Sequence, residues 1–184
     1  MNQGFDGFAV AAPGLQVRRI DEVQLGTAAA SISFAAITQI FRNLRITVVA
    51  RGDTAATTVV MQAQFNLDTG SNYDFARFEM SGTTTGTADG LATTSVMLGT
   101  IAAASAPANE ASQSSIQINH YTNQLFQKTL TAEYAFKSAD TAAGTVAGKI
   151  AGFWRSTAPI TRITIAPASG NFIAGSIFTL YGEP

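Results

Sequence analysis

Apolar and polar side chains alternate with a period of two along several stretches of the chain, and this pattern limits the fold more than any other feature. In residues 43–51 every second residue is apolar: Leu44, Ile46, Val48 and Ala50. Residues 58–67 and 128–136 repeat the pattern, and in the first of these the apolar set ends at Leu67. Alternate side chains of a β-strand point to opposite faces, so these segments are predicted to be half-buried strands.

The rest of the chain favours the same fold class. No segment sustains the i, i+3, i+4, i+7 spacing of apolar residues that an amphipathic helix needs. Further strands are predicted at 31–34, 73–80, 115–121, 146–155, 161–165 and 176–181, between turns rich in Gly, Asn, Asp and Pro. Many short strands separated by such turns are typical of a sandwich or barrel. We therefore predict one all-β domain, an antiparallel β-sandwich of jelly-roll type.

Two stretches lack a clear strand pattern. Residues 1–16 contain glycines and isolated apolar residues and are predicted to form an extended N-terminal arm, with the sandwich at 17–184. Four apolar side chains of the arm are candidate anchors to a larger particle: Phe5, Phe8, Val10 and Leu15. Residues 81–114 are rich in Thr, Ala, Gly and Ser, and we predict a long surface excursion with one short strand near Val96.

The composition argues against several classes of partner. Charged residues make up only 12% of the 184 residues, the formal net charge is -1 and there is no cysteine. Nucleic acid and anionic lipid both attract clustered Lys and Arg, so neither is a predicted partner. No apolar run is long enough to span a bilayer, and the first ten residues lack the basic flank of a signal peptide. The sequence therefore predicts a soluble protein without a cofactor or thiolate metal site.

One tetrapeptide, Asp68-Thr69-Gly70-Ser71, matches the active-site motif of aspartic proteases. That chemistry needs two carboxylates that share one proton, from two lobes or two subunits. The chain contains the motif once. Asp, Thr and Gly also suit a hairpin turn between two strands, which is the interpretation we favour.

Two other segments have weak catalytic or phosphate-binding patterns. His120 is the only histidine, so a triad or a histidine metal site would depend on it. It follows an alternating run with Ile116 and Ile118, which favours a partly buried structural residue at a sheet margin. Residues 144–149 resemble a phosphate loop, but the glycines are one residue too close and Ile150 replaces the Ser or Thr that would bind magnesium. We predict a strand of small residues there.

Two further patterns relate to recognition. Arg51-Gly52-Asp53 is the integrin-binding tripeptide and lies at a predicted hairpin tip, although a tripeptide is a weak motif. Oxygen ligands for calcium are available at Asp68, Asn72 and Asp74, without the 12-residue ligand pattern and closing Glu of a calcium loop. We expect a turn, not a cation site, at residues 68–74.

The most specific patterns lie in the C-terminal third. They are Gly152-Phe153-Trp154-Arg155-Ser156-Thr157-Ala158-Pro159-Ile160, then residues 161–165, Ser169-Gly170-Asn171-Phe172 and the terminal stretch 175–182. Together with Phe65-Asn66-Leu67-Asp68-Thr69-Gly70-Ser71-Asn72-Tyr73, they resemble a family of tailed-bacteriophage structural modules, over about residues 23–182. Members of that family are similar in a "F-N-x-D-T-G-S-N-Y" hairpin, a Trp-Ser/Thr-rich segment, a "G-N-F" and a terminal "L-Y-G".

The resemblance implies a non-enzymatic structural protein on the virion surface, made in the cytoplasm of the host bacterium. We expect a capsid decoration, or cement, protein that stabilises the head, forms a homo-oligomer (a trimer) and contacts the major capsid protein or other virion proteins. The alternative is a tail tip or tail-fibre component that contacts the host surface. More distant alternatives are an aspartic-protease-like enzyme that uses Asp68 and an adhesion module that uses residues 51–53.

Overall fold

Twelve β-strands form the protein in a computed structural model that describes residues 16–184. In chain order they are Arg18–Gln24 (β1), Ile32–Phe34 (β2), Asn43–Ala50 (β3), Thr58–Phe65 (β4), Tyr73–Ser81 (β5), Thr84–Thr93 (β6), Val96–Ala102 (β7), Ser112–Ile118 (β8), Lys128–Lys137 (β9), Thr145–Trp154 (β10), Ile163–Pro167 (β11) and Ile177–Glu183 (β12). One turn of 3-10 helix, Ala142–Gly144, precedes β10. Within residues 16–184, no helix has the length and apolar character needed to cross a membrane.

The strands form two antiparallel sheets. The larger sheet has eight strands in the order β1-β12-β3-β8-β9-β10-β5-β6, and the smaller has four in the order β2-β11-β4-β7. One continuous apolar core is buried between the sheets. The prediction of an all-β fold with antiparallel sheets packed as a sandwich is confirmed.

The alternating segments form half-buried strands as predicted. Alternate residues are buried along β3, β4 and β9, because the pleat directs every second side chain towards the other sheet. The prediction that Leu67 belongs to the buried face is wrong. Its side chain is 64% exposed, because β4 ends at Phe65. On β10, the inward residues Ile150 and Trp154 are buried as expected.

Residues 81–114 differ most from the prediction. The predicted surface excursion is wrong, because the segment contains all of β6, all of β7 and the first residues of β8. Thr, Ala and Gly have side chains too small to show a hydrophobic period on β6, and every residue of β7 is buried, so neither strand alternates. β1 is a further strand without a sequence prediction. The predicted arm and its anchors Phe5, Phe8, Val10 and Leu15 lie outside the described residues.

Two hairpins widen the larger sheet. The hairpin β5–β6 and the hairpin β9–β10 pair with each other through β5 and β10, in a continuous register from Tyr73↔Trp154 to Ser81↔Val146. β9 in turn pairs with β8, and β6 becomes the outermost strand on this side. The larger sheet therefore extends beyond the smaller one, and within residues 16–184 no strand follows β6 at this edge.

Candidate functional site

The aspartate of the Asp-Thr-Gly motif is bound to the end of β10. Its carboxylate accepts hydrogen bonds from Trp154 Nε1 at 2.7 Å, from the Gly70 backbone at 2.9 Å and from Asn72 Nδ2 at 3.0 Å. The bond from the Trp154 indole is the main reason that the pKa of Asp68 lies below its ordinary value. Three N–H donors thus favour the ionised carboxylate.

Aromatic rings surround this contact. Phe65, Tyr73 and Trp154 are buried with their ring centroids 5.6–6.4 Å apart, and the Tyr73 and Trp154 planes are 15° from parallel. The Tyr73 hydroxyl accepts the Phe65 N–H at 2.9 Å and donates to the Asp68 carbonyl at 3.0 Å. Burial raises the pKa of Tyr73 to about 12, so this phenol is neutral at physiological pH.

An asparagine ties the same turn to the segment after β10. Asn66 has a φ of 53°, in the left-handed region that asparagine enters more readily than most residues. Its side chain donates to the Pro159 carbonyl at 2.8 Å and accepts the backbone N–H groups of Thr161 and Arg162 at 2.8 and 3.1 Å. We call the five residues Phe65, Asn66, Asp68, Tyr73 and Trp154 the latch, because they join segments about 90 residues apart.

The latch gives the tetrapeptide a structural role. A protease aspartate must share a proton with a second carboxylate, whereas the Asp68 carboxylate is occupied by N–H donors. The carboxylate of Asp74 instead binds the Arg155 guanidinium and the Ala92 N–H. Among residues 16–184, no group of three or more His, Asp or Glu side chains is arranged to hold a metal ion. The geometry therefore agrees with a turn at residues 68–74.

The acid sensitivity of the latch can be tested with Asp68→Asn. Because the pKa of Asp68 is lower in the folded chain than the ordinary 3.8, the ionised carboxylate stabilises the fold above about pH 4 and this contribution is lost as the pH falls through the folded-state pKa. Asp68→Asn should therefore be less stable than the wild type at pH 7, by an amount that shrinks towards pH 2. Urea unfolding across this range measures it, with the exposed Asp140→Asn as control. A pH-independent difference would contradict the role of the charge.

The Arg-Gly-Asp tripeptide is occupied by contacts within the chain. The Arg51 guanidinium donates to the carbonyls of Ala104, Ala106, Pro107 and Glu110 at 2.6–3.1 Å. Asp53 accepts the backbone and side-chain N–H groups of Asn171 at 2.6 and 2.8 Å. Gly52 is buried and bridges to Phe172. Both charged groups thus fasten neighbouring loops, which disfavours integrin-type adhesion.

Replacing Arg51 should loosen the loop that it holds. Arg51→Ala removes the donors for four carbonyls of the 103–111 loop, and a hydrogen bond to a charged group contributes about 1.5–3 kcal/mol. We expect a loss of about that size in urea unfolding, together with faster proteolytic cleavage within 103–111. Arg42→Ala, at an exposed arginine, is the control and should change neither. Unchanged cleavage of Arg51→Ala would show that the loop is held by other contacts.

The remaining sequence motifs have structural surroundings. His120 lies in the turn after β8 with a φ of 48°, and its backbone N–H is bound by Asn43 Oδ1 at 3.1 Å. Its side chain is exposed, so the prediction of a partly buried histidine is wrong: β8 ends at Ile118 and the turn carries residue 120 away from the core. Residues 145–149 form the start of β10, as the strand interpretation predicted, whereas Gly144 ends the preceding 3-10 turn. Gly148 packs against the Tyr134 ring.

A shallow groove lies on the outer face of the larger sheet, the face directed away from the smaller sheet. Its volume is about 590 Å³ and it crosses β5, β10, β9 and β8. Phe78 and Met80 form one wall, with side chains 54% and 44% exposed. The ion pair of Lys149 and Glu133, at 2.8 Å, crosses the floor. An apolar wall of this kind suits a protein–protein contact.

A polar cleft of about 360 Å³ opens where β5 extends past the smaller sheet. Glu79 Oε2 accepts hydrogen bonds from the Tyr134 hydroxyl at 2.8 Å and from the Thr100 hydroxyl at 3.2 Å. The same oxygen lies 3.5 Å from a guanidinium nitrogen of Arg77. Burial, then the Glu79 carboxylate, raise the pKa of Tyr134. Arg77 Nε is buried and has no hydrogen-bond partner in the described part of the chain. This network lies inside the sheet margin and stabilises the inner face of β5.

The sequence interpretation missed the groove and the cleft. The alternation of residues 73–80 predicted a strand, but both of its faces carry large side chains, with Phe78 and Met80 on one and Arg77 and Glu79 on the other. The only signal was therefore a strand with apolar residues on the face opposite its charges. Nothing in the residue order indicated which face would be solvent-exposed.

Comparison with known proteins gave no relatives. No protein-family model, curated protein or solved structure matched this chain.

Proposed function

We propose that this chain is a non-enzymatic structural protein of a tailed-bacteriophage particle and acts on the virion surface as a capsid decoration protein. The observation that carries the proposal is the latch. Two of the segments that resemble phage structural modules, around residues 65–73 and 152–160, are far apart in sequence and meet in one hydrogen-bonded unit. Motifs that match by chance have no reason to contact each other.

The strand order supports a jelly-roll interpretation of the sandwich. In the larger sheet, β1-β12-β3-β8 are neighbours, and the smaller sheet has the order β2-β11-β4-β7. These eight strands form four antiparallel pairs, β1·β12, β2·β11, β3·β8 and β4·β7, which is the pairing expected when one long hairpin wraps into two sheets. Jelly rolls are frequent among viral capsid and lectin domains. The two additional hairpins are then insertions into this framework.

The surface is suited to extensive contacts with other virion proteins. Charged residues are few, and the groove carries exposed Phe78 and Met80. The partners we propose are further copies of this chain and the major capsid protein. Because one fold can support many functions, the proposed role has to be tested by measuring whether particles contain this chain, and in how many copies.

Copy number in purified particles tests this proposal. Particles whose genome encodes this chain are purified and its copies per particle are counted by quantitative mass spectrometry against the major capsid protein. Hundreds of copies are expected for a capsid decoration protein. A handful would favour the tail tip or fibre instead, and absence from the particle would overturn the structural role.

A further inference from the structure

Strand β6 is the outer edge of the larger sheet, and within residues 16–184 no strand pairs with its outer side. Ser81 and Thr84 flank a two-residue turn with Gly82 at φ 58°, and in such hairpins the flanking residues bond to each other. Hydrogen bonds alternate along an antiparallel pair, so even-numbered residues of β6 bond to β5. The Gly82 N–H, which donates to Thr145 on the β10 side at 2.8 Å, agrees with this alternation. Thr85, Thr87 and Asp89 therefore direct their backbone N–H and C=O groups away from the sheet.

Between Thr84 and Gly90, β6 also lacks the features that normally protect a sheet edge, since its register irregularity, a further such feature, lies beyond Gly90. Such edges are blocked by charges, by Pro or by short length. β1, at the opposite edge, carries four charged residues: Arg18, Arg19, Asp21 and Glu22. The edges of the smaller sheet are the three-residue β2 and the fully buried β7. β6 has ten residues, mostly exposed Thr, Gly and Ala, with Asp89 as its one charge.

We propose that β6 pairs with β6 of a second copy of this chain, antiparallel, about a two-fold axis at Thr87. An extended strand with free N–H and C=O groups is completed by another extended strand. Around Thr87 the β6 sequence complements itself, because the axis sets Thr87 opposite Thr87 and Thr85 opposite Asp89. Threonine pairs stabilise adjacent strands, the Thr85 hydroxyl can donate to the Asp89 carboxylate, and no like charges face each other.

The two-fold pair predicts the mass of the assembly. A contact that uses the same surface on both copies closes after two subunits, so the purified chain should have an even multiple of the 19.2 kDa subunit mass. A trimer formed through another surface would then become a hexamer. This inference is independent of the phage assignment, since it depends only on the backbone and side chains of β6.

The first experiment breaks the edge and measures the mass by light scattering after size-exclusion chromatography. Thr87→Pro removes an N–H that faces away from β5, so pairing within the sheet is retained. The variant should keep the wild-type circular dichroism spectrum and have half the wild-type mass. Thr87→Lys sets two lysines opposite each other across the axis and should also halve the mass. It replaces the proline variant if that variant fails to fold. Phe78→Thr is the matched control and should keep the full mass.

A second experiment tests the register. The natural chain has no cysteine, so Thr87→Cys introduces a single thiol close to its symmetry mate, since opposite Cβ atoms are about 5 Å apart. Mild oxidation or a short bismaleimide should crosslink this variant into dimers on a denaturing gel. Thr85→Cys, whose symmetry mate is offset by four residues or about 14 Å along the strand at ~3.4 Å per residue, should crosslink far less.

Four outcomes would overturn the proposal. The first is a wild-type mass equal to one subunit or to an odd number of subunits, and the second is an unchanged mass in both Thr87 variants when they fold. The third is a mass that is halved by Phe78→Thr and by neither Thr87 variant. The fourth is a mass that is halved in a chain that begins at Gln16 and keeps β6 intact. The third would assign the contact to the groove, and the fourth to the first 15 residues.

Discussion

Trp154→Ala is expected to lower the free energy of unfolding by about 3–5 kcal/mol, the range for removal of a large buried aromatic side chain. The Trp154 side chain is only 3% exposed and packs against Phe65 and Tyr73. The hydrogen bond from its indole N–H is also the shortest that the Asp68 carboxylate accepts. The substitution therefore removes both the packing of the latch and the donor that keeps the Asp68 carboxylate in position.

Two control variants separate these contributions in urea unfolding. Trp154→Phe keeps a ring in the core but lacks the N–H, so it should lose less than the alanine variant and should reduce the pH dependence assigned to Asp68. Phe153→Ala, at the neighbouring residue whose side chain is 39% exposed, should change stability by under about 1 kcal/mol. A Trp154→Ala loss as small as that of Phe153→Ala would mean that the latch does not stabilise the fold.

Strand positions were predictable wherever large aliphatic side chains alternate with polar ones. β3, β4 and β9 have Leu, Ile, Val, Met or aromatic residues at most of their inward positions, so one face is unambiguous. β6 has no large apolar side chain among its inward residues, which are Thr, Gly and Ala, and its edge position leaves that face only partly covered. β7 is buried on both faces, and a strand buried on both faces has no alternation to detect.

The latch was predictable only in part. Alternation in residues 146–155 was enough to predict a buried Trp154, and turn propensity was enough to predict a turn at Asp68. The predicted hairpin there is wrong, because β4 and β5 lie in different sheets and the turn connects the two sheets. The hydrogen bond between Trp154 and Asp68 joins residues 86 positions apart. Alternation describes only neighbouring residues of one strand, so it could not indicate a contact between them. The same limit applies to Arg51, whose tripeptide suggested an exposed tip while its guanidinium folds back onto a loop more than 50 residues away.

A large effect of adding atoms is expected at Gly99 on β7. Its φ is 137°, a conformation that favours glycine, and a Cβ there would lie 2.5 Å from the Tyr134 ring. Gly148 approaches the hydroxyl end of the same ring to a similar distance, so Tyr134 packs closely against two glycines, one on each sheet. Backbone strain and overpacking each cost about 1–3 kcal/mol, and Gly99→Val should therefore lose about 2–6 kcal/mol.

Unfolding of two single-residue variants and of one double variant with its two single changes shows whether this explanation is correct. Gly86→Val on the open edge β6, where a Cβ would meet nothing within 4 Å, is the matched control and should be nearly neutral. Gly148→Ala adds overlap with the ring at a residue without positive φ, so it should lose less than Gly99→Val. Combining Gly99→Ala with Tyr134→Leu removes the ring and should recover the overlap part of the Gly99→Ala loss, because strain alone remains. If the double variant is no more stable than the sum of its single changes predicts, the close approach of Tyr134 to the glycines does not set the spacing of the two sheets.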